Sequence, residues 1–527
     1  MRKLLLVFCL HLGLFSYADA PASAPPAHQS KVLRVRALGE PQTLDWNRAS
    51  TWVDAFVIRN LMEGLVSVET NLKAAPALAT RWESSKDQRR YTFFLKKNVL
   101  WSDGMPLKAA HFVDSWQRLL NPATKSKYAS FLFDIESAEE YHRGGVQDFG
   151  RVGVKALDDH TLEVRLRAPI AYWHFIPSFY ATFPIRKDLI QKEGDAWTNP
   201  RKLVNLGPFL FEAQVNGKSI TFIRNPRYHG AHGNLEAISF ATIHDDRAAL
   251  KMYQTGQLDF VSKIPSLERE RLKERDDFQT WPDLRTIHLR MNTRKGPTRN
   301  ESLRKAIASA IDRQKLAALF NGSYERGSSL VPPGLLGHSK NGGAAFDLKY
   351  AKQSLKESGV NVAQLPPLDL LTISFDDQII TAQFIQEELK KNLGLKVRLH
   401  ILEPKRYYSP QLNYDDYAMQ INFWGADFPD PDNFYSIFLS NSGLNRYKWA
   451  HEKYDGLVRR ARSLPTEKER LKAYREAENI LLEQSVATIP LYYGKIHGLV
   501  RKHISGFKPG SMNWWIFRDL SIKNEGR

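Results

Sequence analysis

Residues 368–401 constrain the fold of this chain more than any other stretch. Residues 368–374 form an apolar run typical of a buried strand, 379–393 have the apolar spacing of an amphipathic helix, and 395–401 alternate with the period of a strand. Gly394 stands where such a helix is expected to stop. Two strands joined by a helix of this length pair in parallel through a right-handed crossover. The segment therefore predicts an α/β fold.

Three other stretches carry clear patterns of secondary structure. Residues 32–37 alternate as a strand, 53–65 have the spacing of a short helix, and 109–120 carry apolar residues on one helical stripe. None of these stretches contains an obvious chemical motif, so they predict packing elements.

Residues 417–427, Tyr-Ala-Met-Gln-Ile-Asn-Phe-Trp-Gly-Ala-Asp, predict a half-buried strand that ends at a site. Apolar and more polar residues alternate along it, as expected when one face meets a core. Gly425 would let another backbone approach closely, and Asp427 places a carboxylate among turn-forming residues. This strand end could hold an extended ligand that carries an amine. The alternative is a core strand that leads into an exposed acidic turn.

Length and charge limit the class of protein. The 527 residues, 43% of them hydrophobic, are enough for more than one core and predict two to three domains. The formal net charge is +18, but the 75 basic residues are spread along the chain without long runs. This pattern argues against a nucleic-acid-binding arm and predicts a generally cationic surface.

The N-terminus has the pattern of an export signal. Two basic residues, an apolar run at 4–15 that is too short to span a membrane, and small residues after it predict a signal peptide over residues 1–22. Cleavage could follow Ala20 or Ala22. The single cysteine, Cys9, lies within this segment. We therefore expect a mature protein without disulfides or thiol chemistry.

The common catalytic motifs are absent from the sequence. It contains no Gly-x-Ser-x-Gly, no His-Glu-x-x-His, no phosphate-binding glycine loop and no cysteine-based metal site. The acidic run of Asp427, Asp430, Asp432 and Asn433 lacks the glycine and terminal glutamate of a calcium loop. We expect no catalysis, no metal and no cofactor, although paired carboxylates of a hydrolase cannot be seen in a sequence.

Longer motifs carry a resemblance to a known family. In one region they are Tyr91-Thr-Phe-x-Leu, Leu100-Trp-Ser-Asp-Gly-x-Pro-x-x-Ala109, Phe112-Val-x-Ser-Trp-Gln-Arg118 and Asn121-Pro-x-Thr-x-Ser-x-Tyr-Ala129. Further along they include Arg304-Lys-Ala-Ile-Ala-x-Ala-Ile-Asp-Arg313, Trp424-x-Ala-Asp427, Leu439-Ser-Asn-Ser442 and Ile489-Pro-Leu-Tyr-Tyr493. The chain resembles the bacterial oligopeptide-binding proteins of solute-binding family 5, which serve peptide ABC importers. The resemblance covers residues 32–520.

The resemblance implies a type II periplasmic-binding-protein-like fold, an α/β architecture of two lobes with an additional inserted domain. Lobe one would comprise residues 32–62, 190–290 and 496–527, the inserted domain 63–189, and lobe two 291–495.

The function that the resemblance implies is peptide capture, without catalysis. The protein would be a periplasmic monomer that holds an extended oligopeptide between its lobes by strand addition. It would then deliver the ligand to an inner-membrane ABC permease. Nucleic acid is not an expected partner.

The resemblance also implies site residues. Residues 50–53 and 422–425 match segments that flank the peptide, Asp427 matches the carboxylate that pairs with the ligand's α-amine, and Tyr128 matches an aromatic residue of the cleft. The ligand-binding residues predicted from these matches are Ser50, Thr51, Trp52, Tyr128, Asn422, Trp424, Gly425 and Asp427.

Two positions depart from the pattern of the family. Ile421 stands where a basic residue usually meets the peptide carboxylate, and Gln378 stands near an expected histidine. The ligand could therefore be capped, branched or derived from the cell wall. Basic residues that could substitute are Arg446, Lys448, Lys405 and Arg406. We include Arg446 among the predicted ligand-binding residues.

Two alternative functions remain open. One is a binder of the same fold for a non-peptide or murein-derived ligand, including nickel, haem or an opine. The other is a secreted hydrolase of peptides or murein, supported only by the export signal and the acidic run. The sequence around Asp427 favours a peptide that carries a free amine.

Overall fold

The computed structural model describes residues 31–409, 411–510, 512 and 515–523. The predicted signal peptide over residues 1–22, with Cys9, lies outside the described residues. No helix in the described ranges is both long enough and apolar enough to cross a membrane.

Strands and helices alternate through most of the described chain. The strands are β1 Val32–Ala37, β2 Val66–Val68, β3 Ala74–Pro76, β4 Ala79–Ser84, β5 Arg90–Leu95, β6 Val154–Asp158, β7 Thr161–Arg165, β8 Phe209–Val215, β9 Ser219–Arg224, β10 Ala237–Thr242, β11 Phe260–Val261, β12 Phe278–Met291, β13 Tyr324–Arg326, β14 Leu368–Ile373, β15 Val397–Leu402, β16 Met419–Gly425, β17 Thr488–Val500, β18 Ile504–Ser505 and β19 Ser521–Ile522. The α-helices are α1 Trp52–Leu61, α2 Ala109–Leu120, α3 Ala138–His142, α4 Lys187–Glu193, α5 Asp246–Gln254, α6 Ser266–Leu272, α7 Glu301–Ala310, α8 Arg313–Ala318, α9 Leu348–Glu357, α10 Asp376–Leu393, α11 Pro404–Tyr407, α12 Asp432–Tyr435, α13 Glu452–Ser463 and α14 Glu467–Asn479. Short 3₁₀ helices lie at Pro122–Thr124, Ala129–Leu132, Phe149–Arg151, Trp173–Ser178, Tyr180–Thr182, Gly194–Thr198, Pro297–Arg299, Tyr414–Asp416 and Ser436–Phe438, and a π-helical segment lies at Ile480–Gln484.

One large mixed sheet joins the two ends of the chain. Its strand order is β15-β14-β16-β12-β17-β11-β1-β10-β9-β8, with β13 added beside β17. The long strands β12 and β17 are antiparallel neighbours at its centre, and their register shifts between Pro282 and Thr286 and again between Ile287 and His288. A separate antiparallel sheet, in the order β4-β5-β7-β6, is built from the segment expected to form the inserted domain. The exact boundaries of the lobes and the inserted domain stay a prediction.

The predicted strand-helix-strand unit is confirmed, and with it the α/β class. β14 and β15 pair in parallel, with Leu368 opposite Val397. The helix between them, α10, begins at Asp376, three residues earlier than predicted, and stops at Gly394 in the left-handed conformation (φ +70°). Acidic residues in the first turn of α10 suit the positive end of the helix dipole and explain the earlier start.

The first helix differs from the prediction at both ends. α1 covers Trp52–Leu61, not 53–65, because Thr51 closes a capping box at its start. The Thr51 hydroxyl accepts from the backbone N–H of Asp54 at 3.1 Å, and the Asp54 carboxylate accepts from the Thr51 N–H at 3.0 Å. Trp52 and Val53 are therefore helical.

Strand β16 is buried on both faces over most of its length. Met419 and Ile421 are buried as predicted, but Gln420 and Asn422 on the other face are buried as well. The Gln420 side chain donates to the hydroxyl of Tyr407 at 3.0 Å, which compensates part of its desolvation. The expectation of a half-buried strand is therefore wrong, because segments packed on both sides of the sheet cover β16.

Candidate functional site

A cavity of about 250 Å³ lies where the strands of the two halves of the sheet meet. Its walls come from the start of α1, the middle of β12, the end of β16, the start of α10 and the middle of β17. All nine residues predicted from the sequence line it, namely Ser50, Thr51, Trp52, Tyr128, Asn422, Trp424, Gly425, Asp427 and Arg446. The fold thus brings them together, while their role in binding stays a prediction.

Asp427 lies just beyond β16 and is positioned by Asn433. The Asn433 amide oxygen accepts from the backbone N–H of Asp427 at 3.0 Å and from the indole N–H of Trp424 at 2.9 Å. The Asp427 side chain as a whole is half-buried, but its Oδ2 atom is shielded from solvent and has no hydrogen-bond partner within the described chain. This arrangement leaves a carboxylate oxygen ready for a donor.

The environment of Asp427 disfavours its charge. Burial raises the pKa of Asp427 to about 7, although the positive charge of Arg59 acts in the opposite direction. Burial also lowers the pKa of Arg59 to about 10, although the negative charge of Asp427 acts in the opposite direction. A bound cation would therefore favour the charged form of Asp427.

Arg59 is a site residue that the sequence reasoning missed. It lies on α1, is buried, and places its guanidinium 5.7 Å from the ring centre of Tyr180. The available signal was a basic residue within an otherwise apolar helix face, but its proximity to Asp427 depends on tertiary structure. The sequence also gives no sign that Asn433 is a positioning residue, because it stands within a run of acidic residues.

Tyr128 of the cavity wall belongs to a cluster of aromatic rings. Tyr128 is buried and packs edge-on against Phe179 and Phe131, with ring centres at 4.7 and 5.0 Å. Phe131 in turn meets Phe428 at 5.6 Å, and Phe428 stacks on Tyr172 at 4.9 Å. These rings connect the predicted inserted domain to the segment that follows Asp427.

One edge of β16 has backbone groups available for pairing. β16 pairs with β12 along its whole length, but with β14 only at Met419 and Gln420. The Ala426 N–H donates to the backbone carbonyl of Leu284. In an antiparallel pair the backbone groups of successive residues point to alternate edges, so the N–H and C=O groups of Phe423 and Gly425 point away from β12. The Phe423 N–H is bonded to the side chain of Asn422 at 2.8 Å. This edge can accept an extended chain.

At the other end of the cavity a charged cluster joins the two predicted lobes. The Asp377 carboxylate, at the start of α10, accepts hydrogen bonds from Ser266, from Arg269 at 2.9 Å and from Tyr324. Burial opposes the charge of Asp377, but its neighbours, with Arg269 first, lower its pKa below the ordinary value. Close by, the Lys263 ammonium lies 4.4 Å from the ring centre of Phe375. We call the contacts of Asp377 the interlobe cluster.

Comparison with known proteins identifies the family. Residues 73–446 match the family model of bacterial extracellular solute-binding proteins, family 5 middle. The chain belongs to this family. The expected type II fold of two lobes with an inserted domain is confirmed for this family 5 protein by its structural neighbours.

Relatives of this family 5 protein are named for different ligands. The probable deoxycholate-binding periplasmic protein YgiS of Escherichia coli is 30% identical over 96% of each chain. The oligopeptide-binding protein OppA of Bacillus subtilis is 30% identical over 93% of each chain. The structure of the murein tripeptide binding protein MppA of E. coli has a TM-score of 0.88 and 28% identity, covering 93% of this chain and 98% of that one. All three are named as binding proteins.

The present conformation differs from an open one. The unliganded open form of MppA covers 94% of this chain and 98% of its own, with the same 28% identity, but its TM-score is only 0.66. Both MppA structures are 28% identical to this chain, so the difference between their TM-scores, 0.66 and 0.88, arises from the arrangement of the lobes. The interlobe cluster and the Phe428 contacts are consistent with a closed arrangement in this family 5 protein.

The departures from the family pattern can now be placed. Ile421 is buried in the core and does not line the cavity, whereas Gln378 does. Of the possible basic substitutes within the described residues, Arg446 lines the cavity, but the walls do not include the others, Lys448, Lys405 and Arg406.

The acidic residues after Asp427 serve the fold. Asp430 bonds to Arg470 at 2.8 Å and Asp432 bonds to Arg462 at 2.9 Å, and both acids are buried. The alternative interpretation of these residues as an exposed acidic turn is therefore wrong. The reason is that arginines from α13 and α14 supply the partners that buried carboxylates need.

Proposed function

We propose that this protein is a periplasmic, monomeric binding protein that captures extended oligopeptides with a free α-amine and delivers them to an inner-membrane ABC permease. The observation that carries the proposal is the buried, unpartnered Oδ2 atom of Asp427 next to the open edge of β16. The α-ammonium of a peptide would donate to this oxygen, and the peptide backbone that follows it would pair with the open edge of β16.

Asp427 would bind the ligand through a charge-assisted hydrogen bond. Such bonds are stronger than neutral ones, and exclusion of water increases the attraction. Because burial raises the pKa of Asp427 to about 7 even with Arg59 nearby, the ammonium would also stabilise the ionised carboxylate. The free amine of the peptide would thereby be distinguished from an acylated one.

The peptide backbone would pair with the open edge of β16. Phe423 and Gly425 direct backbone groups toward that edge, so affinity would come from main-chain hydrogen bonds that do not depend on the ligand's side chains. Gly425 has no side chain to obstruct a neighbouring strand; its nearest neighbours to an added Cβ lie at 3.8 Å or more. Trp424 would border the ligand while Asn433 holds its ring.

Closure would be the output of binding, without any catalysis. The peptide would shift the population toward the closed form, in which Asp377 meets Ser266 and Arg269 across the cleft. The permease would distinguish the closed form from the open one. Secretion through the predicted signal peptide would place the protein in the periplasm.

Calorimetric titration with a mixed library of short peptides tests the proposal. Asp427→Asn should weaken binding of free-amine peptides about 10- to 100-fold, which corresponds to the loss of one charged hydrogen bond of about 1.5–3 kcal/mol. N-acetylated peptides should bind the wild type and the variant equally weakly. Asp195→Asn is a matched control, because Asp195 is 95% exposed and outside the cavity. Full affinity of Asp427→Asn for free-amine peptides would refute the assignment.

A non-peptide amphipathic ligand is a second candidate. One relative is named for deoxycholate, and the cavity of this chain also has large apolar walls from Trp52, Phe56, Phe423 and Trp515. Competition between deoxycholate and a bound peptide would favour this function if deoxycholate bound more tightly.

A further inference from the structure

Two neighbouring arginines in the cavity have no acidic partner within the described residues. Arg290 is buried on β12; its Nε donates to His288 at 3.0 Å and its Nη1 donates to the carbonyl of Leu444 at 3.1 Å. Arg446 is half-buried and donates through Nη1 to the hydroxyl of Tyr414. Both line the cavity, and we call them the arginine pair.

Four other cations of the cavity wall are neutralised by acidic residues of the protein itself. Arg36 lies 2.7 Å and Lys263 lies 3.1 Å from oxygens of Asp246. The same holds for Arg269, which is 2.9 Å from Asp377, and for Arg285, which is 3.2 Å from Asp283. The arginine pair has no such acidic partner within the described residues, and it is shielded from solvent more than Lys495, an exposed cation of the same wall.

The nearest acidic turn does not supply the missing charge. Asp415 lies close to Tyr447, beside the arginine pair. Its carboxylate is engaged at 3.6 Å by Lys295 and at 3.4 Å by the amide of Asn292. Burial, with the charge of Arg446 as the next contribution, lowers the pKa of Arg290 to about 10. Two neighbouring guanidinium groups in a partly buried site repel each other unless an anion joins them.

Neighbouring aromatic groups hold the pair in place. The Arg446 guanidinium lies 4.6 Å from the ring centre of Tyr414, and that of Arg290 lies 4.8 Å from that of Phe438. The unused N–H groups of each guanidinium form a planar fork whose geometry matches a carboxylate. Such preorganisation reduces the entropy lost on binding.

The sheet places Arg290 close to the strand that would pair with the ligand. In the register of the sheet, Ile421 of β16 is opposite Leu289, so Arg290 lies one residue further along the adjacent strand. Positive charge beside β16 is thus supplied by β12 and by the loop that contains Arg446.

We propose that Arg290 and Arg446 together form the subsite for a carboxylate group of the bound peptide. This inference rests on the proposed function, which places an extended peptide in the same cavity with its amine at Asp427. The carboxylate could belong to the peptide C-terminus or to an acidic side chain. The pair would determine specificity, since a ligand without a carboxylate leaves both charges uncompensated.

Titration calorimetry on the full mature chain distinguishes these sources. The tightest binder from a mixed library of short peptides is compared with its C-terminal amide and with a form in which its acidic side chains are replaced by amides. We expect one of these changes to weaken binding about tenfold or more, because a charged hydrogen-bonded contact is lost. Loss on amidation identifies the C-terminus, and loss on side-chain replacement identifies the acidic residue.

Arg446→Gln should weaken binding of the carboxylate form to the level of the amide form and leave the amide form unchanged. Arg446→Lys should restore part of the affinity. Lys448→Gln removes an exposed charge outside the cavity and should bind like the wild type. Arg446 is half-buried, so its replacement should perturb folding less than replacement of the buried Arg290.

Failure of this inference differs from failure of the proposed function. If peptides bind but removal of every carboxylate leaves the affinity unchanged, or if Arg446→Gln binds the carboxylate form as the wild type does, the subsite is refuted while the proposed function stands. If no peptide binds in any form, both are refuted.

Discussion

Replacing Asp427 by asparagine should stabilise the ligand-free protein at alkaline pH. Burial raises the pKa of Asp427 from 3.8 to about 7 in the folded chain, whereas an unfolded chain has the ordinary value. The folded state therefore holds the proton more tightly. As the pH rises from the ordinary pKa toward 7, ionisation of Asp427 increasingly favours the unfolded chain. Above about pH 7 the resulting loss of folding free energy no longer grows. Asparagine has no such penalty.

The size of the effect follows from the shift. Each pKa unit corresponds to about 1.4 kcal/mol, so the penalty grows by about 2–3 kcal/mol between about pH 5 and about pH 8. This is an upper figure, because opening of the lobes returns water to the carboxylate. The free energy of unfolding of Asp427→Asn should therefore exceed that of the wild type by more at the higher pH.

Urea unfolding of both proteins at the two pH values, without peptide, measures this difference. The comparison cancels the titration of all groups that the two proteins share. Asp195→Asn, which removes an exposed carboxylate, should show no such growth. If the stability difference between Asp427→Asn and the wild type is the same at both pH values, the Asp427 carboxylate is not held in a desolvated environment and the reasoning fails.

Three further changes test other parts of the structure. Asp377→Asn should weaken the contact with Arg269 and favour the open form, so the radius of gyration from X-ray scattering should rise and peptide affinity should fall several-fold. Unchanged scattering would contradict a role of the interlobe cluster in closure. Asn433→Ala should weaken peptide binding about tenfold, because the positions of Asp427 and of the neighbouring indole are no longer fixed; unaltered calorimetry would contradict this. Arg470→Ala should destabilise the protein by about 3–5 kcal/mol in urea unfolding, because it leaves Asp430 buried without its partner; a change below about 1 kcal/mol would count against it.

The sequence predicts local structure well where the pattern is set by neighbouring residues. β1 and α2 have the bounds 32–37 and 109–120 that their periodicity indicates. The start of α1 was misplaced by one residue and its end by four, since the cap depends on a hydroxyl geometry that periodicity does not report. The burial of Gln420 was missed because the second face of β16 is covered by segments remote in sequence.

The cavity itself could be predicted only in part. The nine residues expected there do line it, and most of them were found through family motifs. Arg59 and Arg290 were not found, because their proximity to Asp427 and Arg446 joins segments far apart in the chain. A lone arginine in an apolar helix or strand gives no indication of its partner. The contacts between distant segments require the fold.

The register shift between Pro282 and Thr286 places a bulge of the sheet in the wall of the cavity. Pro282 pairs with Lys495 and Thr286 with Tyr493, so three residues of one strand, including Arg285, face a single residue of the other. Such a bulge can twist without breaking the ladder on either side. Because Gly425 lies opposite Arg285, only β16 would separate a guest on its open edge from this bulge. A change of twist at the bulge would then reach the guest through a single strand.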